Sequence, residues 1–166
     1  DDETARRIKA DYRRLREDNK RMASGFGAWH PYNEGSAHDE SPEARRRRLQ
    51  QHWELGGLLY MRAYGDLLTD AEANRVAAEF VRERIRATVD DPATAEKLCP
   101  KDVNDVVGCK RLCADTGYFE TFNRDNVTLV DVREAPIEAF TETGLATTAA
   151  SYELDCVVLA TGFDAM

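Results

Sequence analysis

The hydrophobic pattern of the sequence changes near Pro100, and this change is the strongest limit on the fold. Before Pro100, apolar residues recur at helical spacing between charged stretches, and after it they form short runs between turn-forming residues. A chain of 166 residues can bury one ordinary core. We therefore predict an α/β protein, either one compact domain or parts of two, with a helical half followed by a half that contains strands.

Three helices are predicted before residue 90. The first, about Thr4–Ala23, has a narrow apolar stripe and mostly basic polar faces, and the glycine-rich segment Ser24–Glu40 after it predicts a long loop. Ser41 then supplies an N-cap before Pro42, and a second helix is expected to run to about Gly65. Thr69-Asp70-Ala71-Glu72 has capping-box spacing and opens the third helix. Its expected buried positions are Val76, Phe80, Val81, Ile85 and Val89.

Asp91-Pro92 ends the third helix and favours a short fourth one. Within the second helix, Trp53, Tyr60 and Tyr64 are spaced by seven and four residues, which favours one buried face over a ligand pocket. The pair Gly56-Gly57 lies in the same predicted helix. Close helix packing is the favoured explanation for these glycines, and a hinge is the alternative.

Two apolar runs in the second half, residues 126–132 and 152–160, predict strands of a sheet covered on both faces. The later run first alternates and then becomes continuously apolar, which is typical of a strand that enters the interior of a parallel sheet. Between the two runs, Pro136–Thr148 predicts a short hairpin around Gly144.

Charge argues against a nucleic-acid partner. The net charge is −8, and residues 101–166 carry five Lys and Arg against twelve Asp and Glu. The run Arg45–Arg48 points around more than a full helical turn, so a solvated helix surface is favoured over a nucleic-acid patch. No apolar stretch approaches the roughly 20 residues of a membrane span, so no membrane partner is expected.

The four cysteines contain no CxxC pair, and the three histidines all lie in the first half, so no metal site is predicted. Reduced, partly buried thiols are typical of a cytoplasmic protein.

The adjacent cations Lys110 and Arg111 stand in the acid-rich half, which suggests that they bind an anion. Near the end of the later apolar run, Thr161-Gly162 would let backbone amides approach a ligand at the carboxyl edge of an open sheet. A plain turn would also need that glycine.

Three segments in order, Gly108–Leu112, Asp115–Val127 and Ala160–Asp164, resemble the Baeyer-Villiger monooxygenases, flavoprotein oxygenases of the cyclohexanone and phenylacetone monooxygenase type. The resemblance implies that residues 1–97 are the helical insertion of that family. It also implies that residues 98–166 are the C-terminal part of a Rossmann-like NADP-binding domain, ending at the hinge to the FAD domain.

Enzymes of this family use FAD and NADPH to insert one oxygen atom of O2 into a ketone, giving an ester or a lactone. By resemblance, Arg111 is the active-site arginine, and Lys110 contacts the extra phosphate of NADP. An arginine suits its role because it does not readily give up a proton and quench an anionic nucleophile. Four residues at the strand end are implied to lie near both cofactors: Thr161, Gly162, Phe163 and Asp164.

The sequence contains no Gly-x-Gly-x-x-Gly turn, of which the family has two. We therefore expect an internal piece that works with the rest of a parent polypeptide and is inactive alone. Two alternatives stay open. One is another flavin monooxygenase of the same class, oxidising nitrogen or sulfur. The other is a non-catalytic helical interaction module, which would melt cooperatively, whereas an excised piece would expose strand edges and associate.

Overall fold

The computed structural model describes residues 2–21, 35–99, 106–108 and 116–162. The chain divides into two compact units, residues 1–123 and 124–166. Helices occupy the first unit and a small sheet lies in the second, so the predicted α/β class is confirmed at this level. The predicted domain boundary, with a helical insertion over residues 1–97 and part of an NADP-binding domain over residues 98–166, stays a prediction.

The predicted N-terminal helix forms as two helices, α1 (Asp2–Ala10) and α2 (Tyr12–Arg21), with a turn at Asp11. Neither helix contains a buried residue. The predicted apolar stripe is exposed to solvent, since Ile8 is 39% and Tyr12 is 56% exposed. The end of the predicted helix and most of the predicted loop lie outside the described residues.

Helix α3 (Pro42–Leu55) begins as predicted, with the Ser41 side chain accepting a hydrogen bond from the Ala44 amide. The prediction that it continues to Gly65 is wrong. Gly56 has φ +81°, a conformation that ends an α-helix and that glycine adopts without strain. A 3-10 helix, Gly57–Arg62, follows. A Cβ at either glycine of the pair would meet no atom within 4 Å, so close packing does not explain them.

Helix α4 (Ala71–Thr88) is the longest helix among the described residues. Its cap lies one residue later than predicted, because Asp70 rather than Thr69 accepts the Ala73 amide hydrogen bond. Four of the five predicted core positions are buried, and Val76 is partly buried against them. Asp91 caps the predicted short helix α5 (Pro92–Leu98).

Three aromatic rings form the centre of the first unit. Tyr60 stacks on Phe80 with ring centroids 5.9 Å apart, and Trp53 meets the edge of Tyr60 at 5.6 Å. The Tyr60 hydroxyl donates to the Ala77 carbonyl at 2.7 Å. Tyr60 and Tyr64 are 1% and 2% exposed, so the predicted core role of these aromatics is confirmed, although a 3-10 segment rather than one helix face carries Tyr60.

The arginine run of α3 pairs with acidic neighbours. Arg46 forms an ion pair with Glu83 on α4, and Arg48 forms one with Glu40. The Arg48 guanidinium also lies 5.3 Å from the centre of the Tyr64 ring. These contacts fit the predicted charged helix surface.

The second unit contains a three-stranded antiparallel sheet in the order β1 (Ile137–Thr141), β2 (Gly144–Thr147) and β3 (Ser151–Glu153). The first two strands form the predicted hairpin, with Phe140 opposite Leu145. Leu145 also faces Tyr152 of β3. The hairpin prediction is therefore confirmed.

The two longer predicted strands are wrong within the part of the chain that the structure describes. Residues 126–132 form no strand, and 152–160 is a strand only through Glu153, in an antiparallel pair. Val158 and Leu159 are 82% and 71% exposed rather than covered. A strand needs hydrogen-bonding neighbours, and the described residues provide no partner strand for residues 126–132 or 155–160. In the described ranges, we also find no helix both long and apolar enough to span a membrane.

A histidine at the cap of α4 creates a pH-sensitive contact. The Nε2 atom of His38 lies 3.0 Å from Oδ1 of Asp70, and this hydrogen bond is the main cause that raises the pKa of His38 above 6.5. The negative charges of Asp66 and Glu72 act in the same direction. The Asp70 pKa is lowered, first by the Ala73 amide and then by His38.

We expect the His38 contact to stabilise the fold at acid pH and to weaken in mild alkali. A raised folded pKa gives stability that is fully present below the unfolded value and is lost as pH rises through the folded value. The melting temperature of His38→Gln should therefore fall further below that of the wild type at pH 5.5 than at pH 8.5. In an Asp70→Asn background this pH dependence should be smaller, because only the charges of Asp66 and Glu72 then favour the protonated imidazole. An equal His38→Gln effect at both pH values would contradict the assignment.

Candidate functional site

The backbone that leads into the Lys-Arg pair is held by a buried asparagine. Asn74, on the first turn of α4, is 6% exposed. Its Nδ2 donates to the Val107 carbonyl at 2.8 Å and to the Leu67 carbonyl at 2.7 Å, and its Oδ1 accepts from the Val107 amide at 3.1 Å. The side-chain amide thus pairs with both backbone groups of Val107, as a neighbouring strand would.

Gly108 follows directly and fits closely against the helical unit. Its φ is +95°, and a Cβ built there would lie 2.6 Å from Met61 Cε and 2.8 Å from Leu68 Cδ2. Both the backbone conformation and the available space therefore favour glycine. This residue ends the described part of the segment, because residues 109–115 are outside it.

The chain is attached to the same unit again beyond that gap. Both the amide and the hydroxyl of Thr121 donate to the Gly117 carbonyl, at 3.1 and 2.7 Å. Phe119 and Phe122 pack against the core. Asn123 donates to the Thr88 carbonyl at 2.7 Å and accepts from the Asp90 amide at 2.9 Å. These last contacts are at the C-terminal end of α4.

Four of the six predicted site residues lie outside the described residues: Lys110, Arg111, Phe163 and Asp164. The other two, Thr161 and Gly162, are exposed in the second unit. Gly162 has φ +79°, and a Cβ there would meet no atom within 4 Å. The backbone at this position is therefore open to an approaching group. The roles of all six residues stay predictions.

Other parts of the described chain offer little chemistry. A cleft of about 420 Å³ lies between α3 and α4, and the Arg46–Glu83 ion pair is in its lining. Within the described ranges, no group of three or more His, Cys, Asp or Glu side chains could hold a metal ion. Cys99 is buried, and burial raises the pKa of its thiol. Cys156 is an exposed free thiol.

Sequence reasoning missed Asn74, Asn123 and the buried Arg62, which is 2% exposed. Asn74 did leave a signal, since it lies on the apolar stripe of α4 with Ala77, Ala78 and Val81. A polar residue on such a stripe has a buried partner to satisfy. The identity of that partner, 33 positions later in the chain, could not be derived from periodicity.

Replacing Gly108 by alanine should destabilise the chain more than replacing Gly117, which has φ +77° and open space at its Cβ position. The strained φ alone costs about 1–2 kcal/mol in each variant. At Gly108, displacement of Met61 and Leu68 adds roughly 1–3 kcal/mol. Urea unfolding of Gly108→Ala and Gly117→Ala measures the difference. Equal losses of unfolding free energy in the two variants would show that Met61 and Leu68 can make room for a Cβ at Gly108 without cost.

No family model matches the chain. A Baeyer-Villiger monooxygenase of Pseudooceanicola batsensis is 39% identical over 171 residues, which cover 100% of this chain and 30% of the relative. A phenazine N-monooxygenase of Lysobacter antibioticus is 39% identical over 149 residues, covering 88% of this chain and 26% of the relative. The chain thus spans less than a third of the length of these curated relatives.

Solved structures agree with the sequence relationship. An oxidized steroid monooxygenase bound to NADP matches with a TM-score of 0.91 and 49% identity, covering 100% of this chain and 31% of that one. A structure of OTEMO in complex with FAD and NADP matches with a TM-score of 0.90 and 38% identity, covering 99% of this chain and 30% of that one. By sequence and by fold, the chain belongs to the Baeyer-Villiger monooxygenase family and corresponds to about 30% of the length of its relatives.

Proposed function

We propose that this chain is part of an NADPH- and FAD-dependent monooxygenase that inserts one oxygen atom of O2 into a ketone to give an ester or a lactone. The observation that carries the proposal is the match over the whole chain, at 49% identity, to a steroid monooxygenase bound to NADP. The adjacent cations Lys110 and Arg111 lie within this match and follow the anchored residues Val107 and Gly108.

In the proposed organisation, residues 1–97 are a helical insertion and residues 98–166 are the C-terminal part of a Rossmann-like NADP-binding domain. The latter part would end at the hinge to the FAD domain. The exposed apolar residues Val157, Val158 and Leu159 support this organisation, since an exposed apolar run of this kind usually marks a surface that another part of a protein covers. The rest of the parent polypeptide would provide that cover. A cytoplasmic location is part of the same proposal.

The residues suit the two cofactors chemically. Lys110 would hold the extra phosphate of NADP through a charge-assisted contact. The open backbone at Gly162, with Thr161, Phe163 and Asp164 beside it, would let main-chain amides approach a cofactor. When bound, FAD reduced by NADPH activates O2 for transfer to the ketone. No metal is required by this proposal.

Arg111 is the proposed catalytic residue. The oxygen-derived nucleophile must stay anionic to attack a carbonyl carbon, and a fixed positive charge with several N–H donors stabilises it there. A guanidinium keeps its proton at any pH at which the enzyme is folded, so it stabilises the anion without neutralising it. A lysine at this position could more easily donate its proton.

A second candidate is N-oxygenation of an aromatic heterocycle. The relative named as a phenazine N-monooxygenase is 39% identical over 88% of this chain, which is similar to the identity of the Baeyer-Villiger relative. The two functions differ in the atom that is attacked, a carbonyl carbon in one and a ring nitrogen in the other. A cyclic ketone and phenazine, offered separately to the same full-length protein, distinguish them.

We expect Arg111→Ala in the full-length protein to lower ester formation by a factor of about 100 to 1,000, the usual cost of losing one donor to a developing oxyanion. NADPH oxidation should persist, because Arg111 is not needed for the reduction of FAD. Gas chromatography of the ester and absorbance at the NADPH band separate the two steps. Arg111→Lys, the matched control, should keep the charge and still be impaired. Unchanged ketone oxidation in Arg111→Ala would contradict the proposal.

Lys110→Ala should reduce the preference for NADPH over NADH. Loss of a charge-assisted hydrogen bond to phosphate costs roughly 1.5–3 kcal/mol, or a rise in KM for NADPH of about 10- to 100-fold. NADH lacks the extra phosphate, so its KM should stay near the wild-type value. Initial rates with each nucleotide measure both constants. Equal changes in the KM values for NADPH and NADH would show that Lys110 does not contact the extra phosphate.

A further inference from the structure

Asn74 makes three buried hydrogen bonds from a position on the apolar stripe of α4. A leucine at this position would continue the apolar stripe of α4, yet the asparagine donates to Leu67 and Val107 and accepts from Val107. All three bonds lie in a buried setting, where an unpaired donor or acceptor costs about 1–3 kcal/mol. The arrangement therefore fixes the backbone of Val107 in one register against α4.

The restraint at Val107 continues into the next residue. Gly108 has no free space at its Cβ position beside Met61 and Leu68 and has a left-handed φ. Sliding the segment by one residue would place a side chain in that space and would leave the Asn74 amide without its partners. Lys110 and Arg111 follow two and three positions after this fixed point.

The other flank of the pair is attached at the opposite end of the same helix. Asn123 bonds to Thr88 and Asp90 at the C-terminus of α4, whereas Asn74 is on its first turn. At about 1.5 Å per residue, Asn74 and Thr88 are roughly 21 Å apart along the axis of α4. Asn123 is exposed, so its bonds contribute less than those of the buried Asn74.

We propose that Asn74 is a positioning residue for the oxygenase reaction, acting through Val107 and Gly108 on the placement of the Lys110-Arg111 pair. The proposal rests on the proposed function. In it, the helical unit contributes to catalysis as well as to stability, because its α4 fixes the backbone of Val107, which lies shortly before the catalytic cation in the sequence. Misplacement of a catalytic group by about 1 Å can cost a hundredfold in rate, so loss of this restraint should affect the oxygen transfer step.

The test compares Asn74→Leu with Tyr60→Phe in the full-length protein. Tyr60→Phe also removes a buried hydrogen bond to α4, from the Tyr60 hydroxyl to the Ala77 carbonyl, but it has no bond to Val107. Both variants are examined for FAD content, melting temperature and ester formed per NADPH consumed, with a cyclic ketone as the substrate. Amide hydrogen exchange at Val107 is measured alongside.

We expect Asn74→Leu to lower the yield of ester per NADPH by about ten- to a hundredfold and to speed exchange at Val107, with FAD content retained. Tyr60→Phe should lose stability while its yield stays near that of the wild type. Asn74→Ala also removes all three bonds and leaves more room for water at the freed backbone groups than leucine does, so its yield should fall by a similar factor. This variant also serves as the test if Asn74→Leu fails to fold.

Two failures are distinguishable. If the wild-type protein forms no ester, the proposed function is wrong. If the wild type forms ester, and Asn74→Leu or Asn74→Ala forms it with wild-type yield, the positioning role of Asn74 is wrong. An equal loss of yield in Tyr60→Phe would also overturn it, because the effect would then follow stability alone.

Discussion

Helix α4 is the element on which the core of the first unit depends, because α3, the 3-10 segment, α5 and Val107 all contact it. The 3-10 segment is bound to it through the hydrogen bond from Tyr60 to Ala77 and through the stack of Tyr60 on Phe80. The buried amide of Asn74 connects it to Val107. Helix α4 therefore connects the hydrophobic core to the backbone that precedes Lys110 and Arg111. Its packing contributes to the stability of the first unit and fixes the position of Val107.

Local signals predicted the helices well because they depend on neighbouring residues. Ser41, Asp70 and Asp91 each cap a helix, at or within one residue of the expected start. The prediction failed at Gly56, whose positive φ ends the helix. Trp53, Tyr60 and Tyr64 have helical spacing across this glycine, so their periodicity predicted a continuous helix. The longer strands at 126–132 and 152–160 failed for a different reason. A strand is defined by its neighbours, and composition alone cannot provide them.

The candidate site divides in a similar way. Charge contrast identified Lys110 and Arg111, and the resemblance over Gly108–Leu112 and Ala160–Asp164 gave them roles. The asparagine anchors could not be derived in this manner, since Asn74 and Val107 are 33 residues apart and meet only in the folded chain. A polar residue in an apolar stripe indicates that a partner exists. Only the structure identifies it as the backbone before the Lys-Arg pair.

Isotope labelling of the product tests whether this chain serves an oxygenase that attacks a carbonyl carbon. The full-length protein is supplied with NADPH, FAD, a cyclic ketone and 18O2, and the product is analysed by mass spectrometry. We expect a lactone that carries one 18O atom, with the second oxygen atom recovered in water. Absence of labelled lactone, together with labelled N-oxide from phenazine in a parallel reaction, would contradict it.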